Sequence, residues 1–309
     1  MPDRPAIILD CDPGHDDAMA IVVAARHAEL LGITAVAGNA PLERTAYNAR
    51  VMREVLGIDV PVHSGAERPL VVEASPAAAV HGVSGLDGAD LPAPTCPLDS
   101  TDAVAFIIET CRQRDGVWLV PVGPLTNIAL LAALRPELLP RIGAVAVMGG
   151  SDGHGNKTPA AEFNIWFDPE SAARTFDSGL DLTMVGLNVT HKAMLTEEDV
   201  ESMRGAGPIG AVAAAMLDHY LDWHGRNRGV RNVPVHDALA VAILIRPELV
   251  TTIDAHVTVD TTAGPARGMT LVDRYRSEGE AANALVAQTV DREAFVTFLC
   301  ERIASLDRA

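Results

Sequence analysis

Five short runs of nearly unbroken apolar residues recur along this chain: AIILD at 6–10, LGITAVAG at 31–38, VWLVPV at 117–122, AVAVMGG at 144–150 and LTMVGLN at 182–188. A strand with one wetted face alternates apolar and polar side chains, whereas a strand covered on both faces is apolar almost throughout. Strands of the second kind need helices above and below them. The intervening stretches supply these: 16–30 is Ala-rich, and 45–56, 101–114, 126–134 and 169–176 also read as helices. Strand–helix alternation of this kind implies an α/β fold, an open and mostly parallel sheet with helices on both faces. No repeat, low-complexity tract or linker interrupts it, so residues 1–309 read as one domain.

Apolar residues make up 48% of the chain, enough for a large core. Lys and Arg number 24 against 41 Asp and Glu, a net charge of −17, which argues against binding nucleic acid or an anionic membrane surface. The four cysteines (Cys11, Cys96, Cys111 and Cys300) have irregular spacings and no CxxC pair, as expected of free thiols in a reducing cytoplasm. The N-terminus lacks the apolar stretch of a signal peptide, and no run approaches the ~18 apolar residues of a membrane span. Two Gly-rich segments, 81–90 and 223–234, read as loops, and loops on a rigid sheet are where sites are built.

The first apolar run ends in DCDPGHDD, four aspartates within eight positions. In an open α/β sheet ligands collect at the carboxyl ends of strands. Asp10 and Asp12, two residues apart, share a side of the strand. Pro13 and Gly14 turn the chain, and Asp16 and Asp17 then fall in a first helical turn, where the backbone N–H groups favour anions. Helix capping accounts for one such carboxylate but not for four. A hard cation accounts for them: Ca²⁺ takes roughly 6–8 oxygen ligands at about 2.3–2.6 Å. The spacing is not that of an EF-hand loop, so further ligands must come from elsewhere in the chain.

LDCDPGHDDA resembles the N-terminal signature of the inosine–uridine nucleoside hydrolases, Ca²⁺-dependent N-ribohydrolases. Four further segments match in order: VAGN at 36–39, PVGPLTNIA at 121–129, the stretch from MGG to AEFNIWFDPE at 148–170, and PVHDALA at 234–240. The match extends from position 7 to about 245. The resemblance implies the family's sheet fold, with the active site at the carboxyl ends of the strands, and one Ca²⁺ per subunit. That ion would be held by Asp12, Asp17, the backbone carbonyl of Val122 and Asp237. It implies Asp12 as the base that takes a proton from the attacking water, and Asp10 as a residue that orients Asp12 or its neighbours. Asp16 and Asn39 match residues that bind the ribose diol. Asn156, Glu162 and Asn164 match the group that grips the sugar hydroxyls, and Met148 packs under the sugar. His236 matches the leaving-group histidine and His81 a second histidine of the same subgroup. Family members are dimers or tetramers, so a homo-oligomer is expected.

The implied reaction is hydrolysis of a ribonucleoside to free base and ribose, in nucleoside salvage. Its oxocarbenium-like transition state places positive charge on the sugar, which an anionic floor stabilises. The pattern most resembles pyrimidine-preferring, cytidine–uridine relatives, although the loop here reads VSGLDG and the base-facing helix end offers His224 and Arg228 where relatives have Gln or Tyr. His224 is expected on the substrate. Arg228 either reaches O2 of a pyrimidine or points to solvent, with solvent favoured. Trp166 either stacks near the sugar or is a buried residue at a sheet edge, with the sheet edge favoured. A purine-preferring or broad-specificity hydrolase is the alternative within the family. A haloacid-dehalogenase-like phosphatase shares the D-x-D start, but Gly14-His15 and the doubled Asp16-Asp17 do not fit it. A non-catalytic Ca²⁺-dependent ribose binder is the remaining class. Replacing both His81 and His236 by Ala is expected to depress pyrimidine nucleoside turnover; a steady-state assay with unchanged turnover would remove that pair from the reaction.

Overall fold

Residues 6–11 are buried at every position, which is why this segment forms an interior strand. In the computed structural model, which describes residues 4–75, 82, 84–277 and 279–306, it is β1 (Ala6–Cys11), an interior strand of a parallel array. There follow α1 (His15–His27), β2 (Glu29–Ala35), α2 (Leu42–Val55), β3 (Val62–Ser64), α3 (Ala103–Gln113), β4 (Val117–Pro121) and α4 (Thr126–Leu134). The middle of the chain forms β5 (Ile142–Met148), α5 (Phe163–Phe167), α6 (Pro169–Phe176), β6 (Leu182–Val185), α7 (Leu187–Thr190), β7 (Leu195–Thr196), α8 (Glu197–Arg204) and α9 (Pro208–Arg228). The last part comprises β8 (Asn232–Val233), α10 (His236–Ile245), β9 (Val250–Val259), β10 (Thr270–Asp273), β11 (Ala284–Val290) and α11 (Arg292–Leu306).

Nine strands form one sheet in the order β10-β9-β11-β6-β5-β4-β1-β2-β3. Every neighbouring pair from β3 to β11 is parallel, and β9 runs antiparallel to both β11 and β10. Two hydrophobic clusters lie on opposite faces. Ile7, Leu9 and Cys11 pack with α1, α10 and α11, whereas Ile8 packs with Ile107 of α3, Ile128 of α4 and Phe176 of α6. The α/β expectation is therefore confirmed, with an antiparallel edge that the sequence reading did not include.

Strand order locates the crevice. β1, β2 and β3 extend the sheet in one direction, and β4 then returns to the other flank of β1. The loops leaving β1 and β4 diverge, and such a switch point opens a cleft at the carboxyl ends of the strands. Asp10, Asp12 and Val122 all lie there.

Some boundaries differ from expectation. The helix read over 16–30 stops at His27, and Glu29 already begins β2, because tertiary pairing with β1 claims the segment. The run 182–188 is a strand only to Val185; Leu187–Thr190 turns into α7. The supposed loop 223–234 is helical as far as Arg228, where Gly229 closes α9 in the left-handed region at φ 73°. Trp166 is not at a sheet edge but on α5, half-buried, with the Lys157 ammonium 4.4 Å from its ring centre.

Asn127, fully buried at the start of α4, ties three strand ends together. Its Nδ2 donates to Asp10 Oδ1 at 2.8 Å and to the Ala35 carbonyl at 3.4 Å, and its Oδ1 accepts from Ala66 N at 2.9 Å. Asn127→Ala leaves those buried groups short of a partner and should lower unfolding stability by about 1–3 kcal/mol. Urea denaturation measures this, and an unchanged midpoint would contradict it.

Candidate active site

The DCDPGHDD segment folds around its own carboxylates. Asp17 sits at the third position of α1. Its Oδ2 accepts from Gly14 N at 2.9 Å and its Oδ1 from Asp12 N at 3.0 Å, so one carboxylate closes the Pro13-Gly14 turn. Asp12 lies between two glycines, and Oδ2 accepts from the Asn39 backbone N–H at 2.6 Å. A Cβ on Gly38 would stand 2.0 Å from Asp12 Oδ2, and one on Gly123 2.6 Å from Oδ1. Only hydrogen fits at either place, which is why VAGN and PVGP carry Gly there. The Asn39 amide also donates to the Asp12 carbonyl and to Asp17 Oδ2, at 3.1 and 3.3 Å. The Asp10 carboxyl faces Thr34 and Asn127, while its backbone carbonyl accepts from Val122 N at 2.8 Å. It thus steadies the strand end that carries Val122.

Asp237, in the first turn of α10, completes the cluster. One oxygen each from Asp16, Asp17 and Asp237 can lie within 4.8 Å of the others. This triad differs by one residue from the set implied by resemblance, because it contains Asp16 and not Asp12. All four carboxylates are buried, and none joins an ion pair with Lys, Arg or His among the described residues. Burial first, and then repulsion from Asp17, drive Asp12 well above the carboxylate range and Asp16 to about 8. Asp237 is raised in the same way by burial and by Asp16. Asp12 Oδ1 and Asp16 Oδ1 are buried without a hydrogen-bond partner. An all-oxygen donor set with orphaned, mutually repelling carboxylates fits a hard divalent cation.

A cavity of about 490 Å³ opens beside this cluster, in the size range of a small-molecule site. Asp16, Asn39, Val122, Met148, Asn156, Glu162, Asn164, His224, His236 and Asp237 all line it. Asp12 and Asp17 are not part of that lining, and His81 lies outside the described residues. Glu162 caps α5: its carboxylate accepts from Gly150 N, Asn164 N and Ile165 N at 3.0, 2.9 and 3.2 Å, and burial pushes it to about 7. Asn164 donates to the Val122 carbonyl at 2.7 Å and to the Met148 carbonyl at 3.1 Å, bridging the ends of β4 and β5. A carbonyl oxygen has two lone pairs, so Val122 keeps one for another partner. Asn156 Oδ1 accepts from Phe163 N at 2.9 Å.

The family profile described as inosine-uridine preferring nucleoside hydrolase matches residues 7–297. The chain belongs to that family. Two curated relatives are similar over nearly the whole length. The pyrimidine-specific ribonucleoside hydrolase RihA of Escherichia coli (strain SMS-3-5 / SECEC) is 45% identical over 303 residues, 96% of this chain and 97% of the relative. RihA of Shewanella sp. (strain ANA-3) is 45% identical over 304 residues, 96% of each chain. Among solved structures, the purine-preferring ribonucleoside hydrolase from Gardnerella vaginalis superposes with a TM-score of 0.92 at 33% identity, covering 98% of this chain and 99% of that one.

Several lining residues of this nucleoside hydrolase escaped the sequence reading. Tyr220 is one: it stands one turn before His224 on α9, which the sequence did single out together with Arg228, and all three line the cavity. The i, i+4 rule applied backward from His224 would have found Tyr220. Burial, then Asp16, raise the Tyr220 hydroxyl well above its ordinary pKa. Arg228 is exposed and also forms part of the cavity rim, so the two alternatives for it are not exclusive. His191 lines the cavity just past the end of α7, and burial lowers its pKa. Extending the strand-end rule beyond Asn188 would have reached it. Asn188 itself is structural: it accepts from Asp152 N and donates to the Ala287 carbonyl at 2.8 Å.

Gly38→Ala must displace Asp12 or the backbone. It should abolish most activity and show less stabilisation by added Ca²⁺ than the native chain, for which a cation bound at a hundredfold excess over its Kd should contribute about 2.7 kcal/mol. Calorimetry with and without Ca²⁺ measures both; a Gly38→Ala variant with native Ca²⁺ stabilisation would contradict the cradle.

Proposed function

We propose that this chain hydrolyses the N-glycosidic bond of ribonucleosides to free base and ribose, with uridine and cytidine favoured. The observation that supports it best is the cavity's dual chemistry. Its lining includes buried carboxylates, Asp16 and Asp237, and also three histidines, His191, His224 and His236. A cationic sugar belongs over the first, and a base gaining negative charge belongs against the second. Pyrimidine preference draws on the RihA relatives, 45% identical, against 33% for the purine-preferring structural neighbour.

The metal in this reading is one Ca²⁺ per subunit, held by Asp12, Asp17, the Val122 carbonyl and Asp237. A bound Ca²⁺ supplies Lewis acidity that acidifies water and a charge that anchors a vicinal diol. Asp16 and Asn39 receive the ribose diol, Asn156, Glu162 and Asn164 the remaining hydroxyl, and Met148 packs beneath the ring. Asp12 accepts a proton as water oxygen bonds to C1′. The C1′–N bond breaks, and its electron pair leaves with the base. His236, with His81 as its expected companion, stabilises that departing charge by hydrogen bonding, and His224 contacts the base. Solvent returns a proton to the base.

We place the chain in cytoplasmic nucleoside salvage, as a dimer or tetramer. Free Cys11, Cys96, Cys111 and Cys300 support a reducing compartment, and no helix among the described residues is long and apolar enough to cross a membrane. The net charge of −17 opposes a nucleic acid or membrane partner.

Reducing-sugar release should be fastest with uridine and cytidine, and slower with inosine and adenosine. Chelation should stop it and added Ca²⁺ restore it. Faster purine turnover would overturn the base preference, and phosphate release from p-nitrophenyl phosphate without any base release would overturn the whole reading. Asp12→Asn should lower kcat by on the order of 10²–10⁴ when assayed at saturating Ca²⁺; near-native kcat would remove Asp12 as the base.

A further inference from the structure

His236 can help a base depart only if it offers a hydrogen, and the structure contains a device that puts one in place. His236 Nδ1 lies 2.7 Å from Thr190 Oγ1, at the last position of α7. Thr190 is 1% exposed. The neighbouring His191 ring packs against the His236 ring at 5.4 Å between centroids, tilted 55°. A buried hydroxyl hydrogen needs an acceptor. Among the described residues, His236 Nδ1 is the one partner of the Thr190 hydroxyl. A neutral imidazole carries its single hydrogen on one nitrogen or the other. A hydroxyl that donates to Nδ1 therefore keeps the hydrogen on Nε2.

We propose that Thr190 is a positioning residue for base departure: its hydroxyl donates to His236 Nδ1 and holds the imidazole as the Nε2–H tautomer, which then donates a hydrogen bond to the leaving base. The inference rests on the ribonucleoside hydrolase reading above. In the opposite tautomer Nδ1–H would point at the hydroxyl, the Thr190 hydrogen would lose its buried acceptor, and Nε2 would present a lone pair to an electron-rich base. The whole step needs no proton transfer through Thr190. The C1′–N electron pair leaves with the base, and the Nε2–H bond to it shortens as charge accumulates.

The test compares uridine with p-nitrophenyl riboside, whose phenolate leaves without assistance. Thr190→Val keeps the volume and removes the hydroxyl; Thr190→Ser keeps the hydroxyl. Thr190→Val should lower kcat on uridine by on the order of 10²-fold, the scale of one lost hydrogen-bond donor to a developing charge. It should leave KM nearly constant and retain p-nitrophenyl riboside turnover, and Thr190→Ser should recover most of the uridine rate. Native uridine kcat in Thr190→Val overturns the proposal. Equal loss on both substrates overturns it too, because that is what general structural damage does. If Thr190→Val melts below assay temperature, Thr190→Ala is read by the same ratio of substrates. A native chain inactive on both substrates refutes instead the hydrolase reading on which the proposal stands.

Discussion

Four carboxylates, from Asp12, Asp16, Asp17 and Asp237, are buried together at the switch point between β1 and β4. Bringing them there costs desolvation and mutual repulsion, and no cationic side chain among the described residues offsets either. The surrounding architecture holds them in place. Backbone N–H groups of Asp12, Gly14 and Asn39 hold two of the carboxylates, and Gly38 and Gly123 leave room for Asp12 alone. The rigidity of a fully buried parallel sheet lets the chain keep these charges close, because each carboxylate leaves a strand or helix end that cannot relax away.

The cavity beside the cluster is assembled from two different parts of the fold. One side is built by the connections after β1, β2, β4 and β5, where Asn164 links Val122 to Met148 and Glu162 gathers three backbone N–H groups. The other side comes from helices: His191 follows the end of α7, α9 brings Tyr220, His224 and Arg228, and α10 brings His236. Adjacent residues His236 and Asp237 link the histidines to the acidic cluster.

Much of this was legible before any coordinates. The near-continuous apolar runs named the interior strands because a strand covered on both faces has no position for a polar side chain. The Asp cluster announced itself because nothing ordinary concentrates four carboxylates in eight residues. Less legible were the antiparallel strands β9 and β10 and the parallel β11 beside them, whose segment carries no recognised motif. The helical end of α9 was also hidden, because Gly225 and Gly229 read as breakers although only Gly229 takes a left-handed conformation. Tyr220 and His191 look unremarkable in one dimension: each becomes a wall residue only when its helix is docked.

The sequence by itself determined the layered α/β class, the family and the residue types of the site, since these follow from local hydrophobic pattern and from short motifs with fixed spacing. Only the tertiary structure decided which carboxylates share a cluster, that Asn39 and Asn164 brace ligand-bearing backbone as well as line the cavity, and that Thr190 meets His236. Asn39 meets the Asp12 carbonyl 27 positions away, Thr190 meets His236 46 positions away and Asp237 joins Asp16 across 221, and no periodicity along a chain encodes a distance that arises only when strands and helices are folded against one another.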